Sequence, residues 1–327
     1  MDSYHRSVLA DLLAQPQQLG EPVTGAVLDD ALALLEDAAA AAVRDGGWTS
    51  DDPLRLSKWL LTWLLRCPRR AVAGPEPDGA VADLGGLVIG LIIDAGAKLA
   101  TLTGRTDPIT VDDALAFLDA TGDTRASDHL ADLDPSPPAA TGATGANSAA
   151  GPPGSTGSDL RAEAGARLAR LTATWPVIDP GWWPRVEEPV RVRLADGAVT
   201  LGGRLDVLLG GPPTGRPGLV IEVKSGRWHD AVRADAQVYG LLVGLRDGVA
   251  PAAVVTVAAG DGATQREPIR PAVLQHTAER VAVALRTASG LAAGEAPVAR
   301  PGTYCGFCPL RDECPEGRAA TKADAAA

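Results

Sequence analysis

Three side chains in the middle of this chain have the types and spacing for metal-assisted chemistry: Asp206, Glu222 and Lys224. Glu222 and Lys224 lie two residues apart in Leu219-Val220-Ile221-Glu222-Val223-Lys224, a nearly continuous apolar run of the kind found in a strand covered on both faces. Residues two apart on a strand share a face, so the acid and the ammonium project together while Ile221 and Val223 point the other way. Burying both costs solvation unless they pair, bind a metal or open onto a cleft. Asp206, in Arg204-Leu205-Asp206-Val207 on the preceding strand, can meet Glu222 across the sheet. Two hard carboxylates suit Mg2+ or Mn2+, which keep positions open for water and phosphate oxygens. Such an ion acidifies a water and neutralises charge developing on a phosphorane, and a lysine beside it can orient or deprotonate that water. The bland alternative is a buried Glu–Lys pair that only closes a sheet. A lysine is notable here, because the chain has 30 Lys plus Arg but only four lysines, Lys58, Lys98, Lys224 and Lys322.

The four cysteines form a second set. Cys305, Cys308 and Cys314 fall in a C-x2-C-x5-C run, and Cys67 stands alone far upstream in Leu65-Arg66-Cys67-Pro68. Gly306 permits a tight turn, and Pro309 and Pro315 stop a helix from continuing through the run. The run supplies three thiolates, and Cys67 is the one cysteine left to be a fourth ligand. Four thiolates suit an iron–sulfur cluster or zinc, and ligand type alone does not decide between them.

These residues need a frame. Residues 1–132 read as a helical N-terminal region carrying Cys67. Leu28 to Val43 is rich in Ala and Leu. Leu54 to Leu65 places Trp59 and Trp63 on one helix face. Gly85 to Leu102 is a further apolar helix, and Thr110 with Asp113 resembles a capping box before another. Residues 133–158, rich in Pro, Gly, Ala, Ser and Thr, cannot bury enough surface to offset chain entropy and read as a flexible linker. In 159–300 a helix (Asp159 to Thr174) precedes two alternating strands joined at Ala195-Asp196-Gly197, a hairpin signal. The Lys224 strand, a helix from Asp230, a strand from Ala252 to Ala258 and a helix from Pro271 follow. Hairpin, central strand, helix, strand, helix describes a mixed α/β core. Residues 301–316 form the cysteine segment, and 317–327 read as a disordered tail.

Composition sets bounds. With 327 residues and 46 % apolar content, the chain can bury a substantial core. A net charge of −11 means that any nucleic-acid contact must use a local basic patch. No uninterrupted apolar run long enough to span a membrane occurs, since Asp94 and Lys98 break the most apolar stretch, and Met1-Asp2-Ser3-Tyr4-His5 does not open a signal peptide. The expectation is a cytoplasmic protein without membrane contact, in which cysteines favour metal over disulfides.

Gly203-Arg204-Leu205-Asp206 and Glu222-Val223-Lys224 together resemble the G-x-x-D and E-x-K motifs of the PD-(D/E)xK nuclease superfamily, in its RecB-like branch. The resemblance implies a restriction-endonuclease-like mixed sheet flanked by helices, with a helical N-terminal region and a C-terminal Fe–S staple. It implies that Asp206, Glu222 and the Val223 carbonyl bind the metal, with Lys224 on the nucleophilic water. The branch's Q-x-x-x-Y helix signature maps onto Asp235-Ala236-Gln237-Val238-Tyr239: Tyr239 fits, Asp235 occupies the Gln position, and Gln237 is the nearest Gln. Where many members carry a metal-binding His, the apolar helix offers Asp94, either a third ligand or a residue on the helix's wet face. The cysteine spacing is similar to the iron-staple nucleases, AddB-type and CRISPR-associated RecB-like exonucleases among them, which implies a 4Fe-4S cluster on Cys67, Cys305, Cys308 and Cys314. The activity implied is DNA phosphodiester hydrolysis in repair, recombination or defence. The alternative is a catalytically silent Fe–S or zinc scaffold subunit. No G-x-x-x-x-G-K-[ST] pattern is present, so a helicase partner would be a separate chain.

Further candidates for the nucleic-acid path are Arg66, Arg69, Arg70, Arg204 and Arg227, each a phosphate contact or a solvated surface residue. Trp182-Trp183 could stack on bases or cap the core, and His229 could assist catalysis or open a helix.

Overall fold

A computed structural model describes residues 7–74, 84–133 and 156–324. In chain order the elements are α1 (Val8–Ala14), α2 (Ala26–Gly46), β1 (Leu54–Ser57), α3 (Lys58–Arg66), α4 (Pro68–Val72), α5 (Leu84–Thr103), α6 (Val111–Ala120), α7 (Arg125–Leu133), α8 (Gly157–Thr174), β2 (Arg185–Leu194), β3 (Val199–Gly211), β4 (Arg216–Lys224), α9 (Asp230–Asp247), β5 (Ala253–Ala258), β6 (Ala263–Pro268), α10 (Pro271–Ala292) and α11 (Pro315–Asp324).

The six strands form one mixed sheet in the order β1-β3-β4-β5-β6, with β2 on the other edge of β3. β4 lies between antiparallel β3 and parallel β5, which accounts for its unbroken burial from Gly218 to Val223. The β2–β3 hairpin turns where expected: Ala195, Asp196 and Gly197 all take positive φ, which Asp-Gly tolerates and most pairs do not. Helices cover both faces. One core joins α2, α3, α9 and α10 to β1, β2, β3 and one face of β4 and β5 (Val220, Val254), and the other joins α1, α5, α6, α7 and α8 to the end of β3 and the opposite face of β4 and β5.

Thr110 makes the capping box at α6: its Oγ accepts the Asp113 N–H at 3.1 Å, and its own N–H goes to Asp113 at 2.9 Å. Helix α5 is the one helix among the described residues long and apolar enough to cross a membrane; most of it is buried against α8, α6 and the sheet, as a core helix would be.

Several expectations need correction. Leu54 to Leu65 is not one helix. Leu54-Arg55-Leu56-Ser57 alternates with a period of two and pairs in parallel with β3 (Leu54↔Val199 to Ser57↔Gly202), and the helix starts only at Lys58, capped by Ser57. The N-terminal region and the strands beyond residue 185 therefore share one sheet. The linker expected at 133–158 falls almost wholly outside the described residues, and α8 already begins at Gly157. The tail from 317 is not irregular: α11 runs to Asp324, because Pro315 suits the first helical position and Glu316, Arg318, Ala319 and Ala320 are good helix formers. Strand β6 was not read from the sequence.

Candidate active site

A fork in the sheet creates the site. The β3–β4 ladder runs from Leu209↔Leu219 to Val207↔Ile221 and stops, and β1 takes over on β3 from Ser57↔Gly202 onward. Residues 203–206 of β3 face the gap between these two neighbours. Asp206 fills it: its Oδ2 accepts the Val223 N–H at 2.7 Å, so a side-chain carboxylate replaces the strand carbonyl that a continued ladder would supply. The inside–outside alternation of β3 slips at the same point, since Leu201, Leu205 and Leu208 belong to one core and Val207 and Leu209 to the other.

Glu222 projects from β4 beneath this gap with 1 % of its side chain exposed. Its Oε1 accepts from two ammonium groups, Lys224 on the same strand and Lys58 at the start of α3. Its Oε2 is buried and has no hydrogen-bond partner among the described residues. Tyr239 on α9 floors the site: the Lys58 Nζ lies 4.5 Å from its ring centroid, and its hydroxyl donates to the Arg204 carbonyl at 2.7 Å. A second cluster sits alongside. Lys98 on α5 donates to Asp94 one turn back and to Glu187 on β2, and Glu187 also accepts from Arg204 Nη1 at 2.8 Å. Glu187 stands opposite Asp206 in the β2–β3 register, at the one position skipped between Val186↔Val207 and Glu188↔Leu205. Its φ of 54° lies in the left-handed region, which costs a non-glycine residue of the order of 1 kcal/mol.

The charges are unevenly held. Burial, then Glu222, then Asp94 push the Asp206 carboxyl up to about 7. Burial also works against ionised Glu222, but Lys58 and Lys224 outweigh it and hold that carboxyl below its ordinary value. Burial disfavours the Lys58 ammonium too, and Glu222 more than offsets this, so its pKa is raised. Burial, then Glu222 and Asp206, push the Tyr239 phenol up, keeping it protonated. Without an added cation the site therefore holds one firmly ionised carboxylate beside one that resists ionisation.

A divalent cation fits this arrangement. The free Oε2 of Glu222 and the strained charge of Asp206 are what such an ion would satisfy, and Mg2+ commonly uses only one or two carboxylates and keeps its waters. Among the described residues, no group of three or more His, Cys, Asp or Glu side chains is arranged to hold a metal ion.

The structure gathers Asp206, Glu222, Val223, Lys224 and Tyr239, and it places Asp94 close enough to act on Asp206. It does not bring Gln237 there. Residues two apart on a helix do not face each other, so with Tyr239 inward Gln237 turns away and donates to Glu267 on β6 at 3.1 Å. Asp235, four residues before Tyr239, shares its face and clamps α3, accepting from Thr62 at 2.9 Å and Arg66 at 3.3 Å. The arginines after α3 are occupied within the fold. Arg66 holds Asp235, Arg69 reaches the Glu313 carbonyl at 3.3 Å, and Arg70 is buried against Trp59 and Trp63. Trp182 is a core residue, whereas Trp183 is exposed with Arg185 over its ring at 4.1 Å. His229 is the exposed N-cap of α9. Arg227 is exposed beside Asp261. Lys58, Lys98 and Glu187 were not picked out from the sequence; the scarcity of lysine was the available signal, since three of the four converge on these acids.

The four cysteines, none in a disulfide, line one cavity between the end of α3 and the C-terminal segment, together with Arg69, Arg70 and Tyr304. Gly302 and Gly317 N–H groups approach the sulfurs of Cys305 and Cys314, both at 3.4 Å. Burial pushes the Cys308 thiol up. Tyr304 ties the two chain ends, donating to the Arg66 carbonyl at 3.0 Å with its ring edge-on to Trp63 at 5.3 Å.

With the sheet and the acid pair in view, comparison places the chain in a family. The model of the PD-(D/E)XK nuclease superfamily matches residues 64–315, and the chain belongs to that superfamily, whose members are generally nucleases that use divalent metals. The mixed six-stranded sheet flanked by helices is its fold. Among solved structures, that of SSO0001 is similar to this chain at 13 % identity and a TM-score of 0.32, over 86 % of this chain and 94 % of that one. No curated protein matches.

Proposed function

We propose that the protein is an Mg2+- or Mn2+-dependent deoxyribonuclease of the RecB-like branch that hydrolyses phosphodiester bonds. The observation that carries this is the buried acid pair at the fork, Asp206 against Glu222 with an unpartnered oxygen, flanked by two lysines. Asp206, Glu222 and the Val223 carbonyl would hold the divalent ion, with Asp94 adding negative potential. When bound, the ion supplies charge neutralisation at the scissile phosphate and a lowered pKa for an attacking water. Lys224, at the open end of β4, would orient that water and favour its hydroxide form by its positive charge. Tyr239 stays protonated and fixes the Arg204 carbonyl, which sets the β3 backbone leading to Asp206. Lys58 screens Glu222 and keeps it ionised before the cation arrives.

We read the cysteine cavity as the seat of a 4Fe-4S cluster on Cys67, Cys305, Cys308 and Cys314, whose thiols would have to be drawn together around it. Four thiols outside any disulfide line one cavity, and N–H groups point at two of the sulfurs. Its part would be structural, fastening the C-terminal segment to the helix that presents Lys58.

End-labelled single- and double-stranded DNA incubated with Mg2+ or Mn2+ tests the reading. Cleavage that needs the ion and is lost in Lys224→Ala, with the melting temperature retained, is expected. Folded wild-type protein that cleaves neither substrate would instead mark a silent DNA-binding member. Anaerobic purification followed by iron and sulfide analysis, with absorbance near ~400 nm, tests the cluster against zinc.

A further inference from the structure

One face of the sheet is bare of helices among the described residues. Over β1, β2 and the first half of β3, the residues turned to the α2/α9/α10 side (Leu56, Val190, Val192, Leu194, Val199, Leu201) are buried, while on the opposite side no described helix lies, because the second core begins only at Val207 and β4. The strand register lays that open side out in rows: Arg55–Thr200–Arg193, then Ser57–Gly202–Arg191, then Arg204 beside Pro189. All four arginines are exposed, and no acid stands among these residues. Among the described residues Arg55, Arg191 and Arg193 make no ion pair, and Arg204 pairs with Glu187 at the edge of the site. Gly202 leaves the centre of the patch without a side chain, which makes room for the stem of Arg191, whose Cγ lies 3.3 Å from where a Gly202 Cβ would be. Arg55, Arg191 and Arg204 line one open groove, which ends two residues from Asp206 and one from Lys58, and Arg193 joins the patch through its register with Thr200.

Three guanidinium groups without an ion pair, beside a fourth that holds Glu187, are a concentration of positive charge in a chain with a net charge of −11. Guanidinium matches phosphate oxygens in shape and charge, and regularly spaced unpaired arginines suit a repeating anion better than a single one. We propose that this bare sheet face is the track on which the phosphate backbone of a DNA strand lies as it runs into the cleavage site, with Arg55, Arg191 and Arg193 gripping phosphates upstream of the acid pair. The inference rests on the nuclease reading above and adds the surface that delivers the substrate.

The test is DNA binding and cleavage by the full chain with Arg55, Arg191 and Arg193 all changed to Gln, beside wild type and Arg286→Gln, an exposed arginine on α10 across the sheet. Binding of labelled single-stranded DNA without divalent ion is measured between about 50 and about 200 mM salt, where each phosphate contact contributes about 0.7 to the log–log slope. The triple variant should lose about 2 from that slope and bind at least about tenfold more weakly at the low-salt end. Its turnover at saturating DNA should match wild type, so the defect appears in KM, and its melting temperature should be unchanged. Changing the three to Lys should restore the slope; if the Gln variant does not fold, the loss is read from the three single exchanges, about 0.7 each. Wild type that binds and cleaves while the triple variant keeps its slope and affinity overturns the track and leaves the nuclease reading standing. Wild type that neither binds nor cleaves DNA overturns both.

Discussion

Asp206→Asn should stabilise the protein while abolishing its activity, and the size of the gain should depend on pH. Asp206 is buried against Glu222 and within the field of Asp94, which lifts its carboxyl from 3.8 in the unfolded chain to about 7 in the fold. The native state therefore holds the proton more tightly than the unfolded state. Stability from this group is full below about pH 4 and drains away as pH rises toward 7. A difference of about three pK units corresponds to about 4 kcal/mol at the alkaline end, a ceiling because Glu222 shares the repulsion. Asparagine keeps an oxygen for the Val223 N–H and removes the charge. At pH 8 the variant should gain about 2–4 kcal/mol, which for a chain of this size is a rise in melting temperature of about 4–8 °C. At pH 4 the two proteins should melt together. Magnesium or manganese should close most of the gap: cation bound only by the native state adds about 2.7 kcal/mol at a hundredfold excess over Kd, and the variant should lose most of that increment. Calorimetry from pH 4 to 8, with and without Mn2+, measures all of this. A variant destabilised at pH 8, or stabilised equally at every pH, would refute the claim that Asp206 is an acid held against its charge for a cation.

The remaining predictions concern the groups around that acid. Lys58→Met should enlarge the Mn2+-induced rise in melting temperature, because one of the two ammonium groups competing for Glu222 is gone, and should cost about 2 kcal/mol without metal; calorimetry with a Mn2+ titration reads both. Asp235→Ala removes the acceptor for Thr62 and Arg66 and should cost about 1–2 kcal/mol in denaturant unfolding. Because it loosens the helix that presents Lys58, it should enlarge the Mn2+-induced rise in melting temperature, by less than Lys58→Met does. Cys67→Ser should remove most of the bound iron and sulfide, and limited proteolysis should then cut the chain after α10 faster than in wild type.

How much of the site was legible depends on whether its geometry is local. Glu222 and Lys224 could be read as one face because a strand's period of two is a property of adjacent residues, and Asp206 could be paired with them because a hairpin fixes its neighbour. Lys58 could not: it reaches Glu222 across 164 residues, and only the topology, which inserts β1 beside β3 where β4 leaves, brings them together. The four-residue β1 was missed for a related reason, since Leu-Arg-Leu-Ser alternates for too short a stretch to outweigh the helix pattern that follows it. Gln237 is different, because there the sequence held the answer. On a helix with Tyr239 turned inward, the position four residues back shares its face and the position two back cannot, so the departure at Asp235 was the informative residue and Gln237 a distraction. The arginine face follows the same logic at the level of the sheet. Arg191 and Arg193 alternate with buried Val190 and Val192, which any solvated antiparallel strand would show. Only the register that sets Arg55 and Arg204 beside them turns four ordinary outward residues into one charged surface leading to the fork.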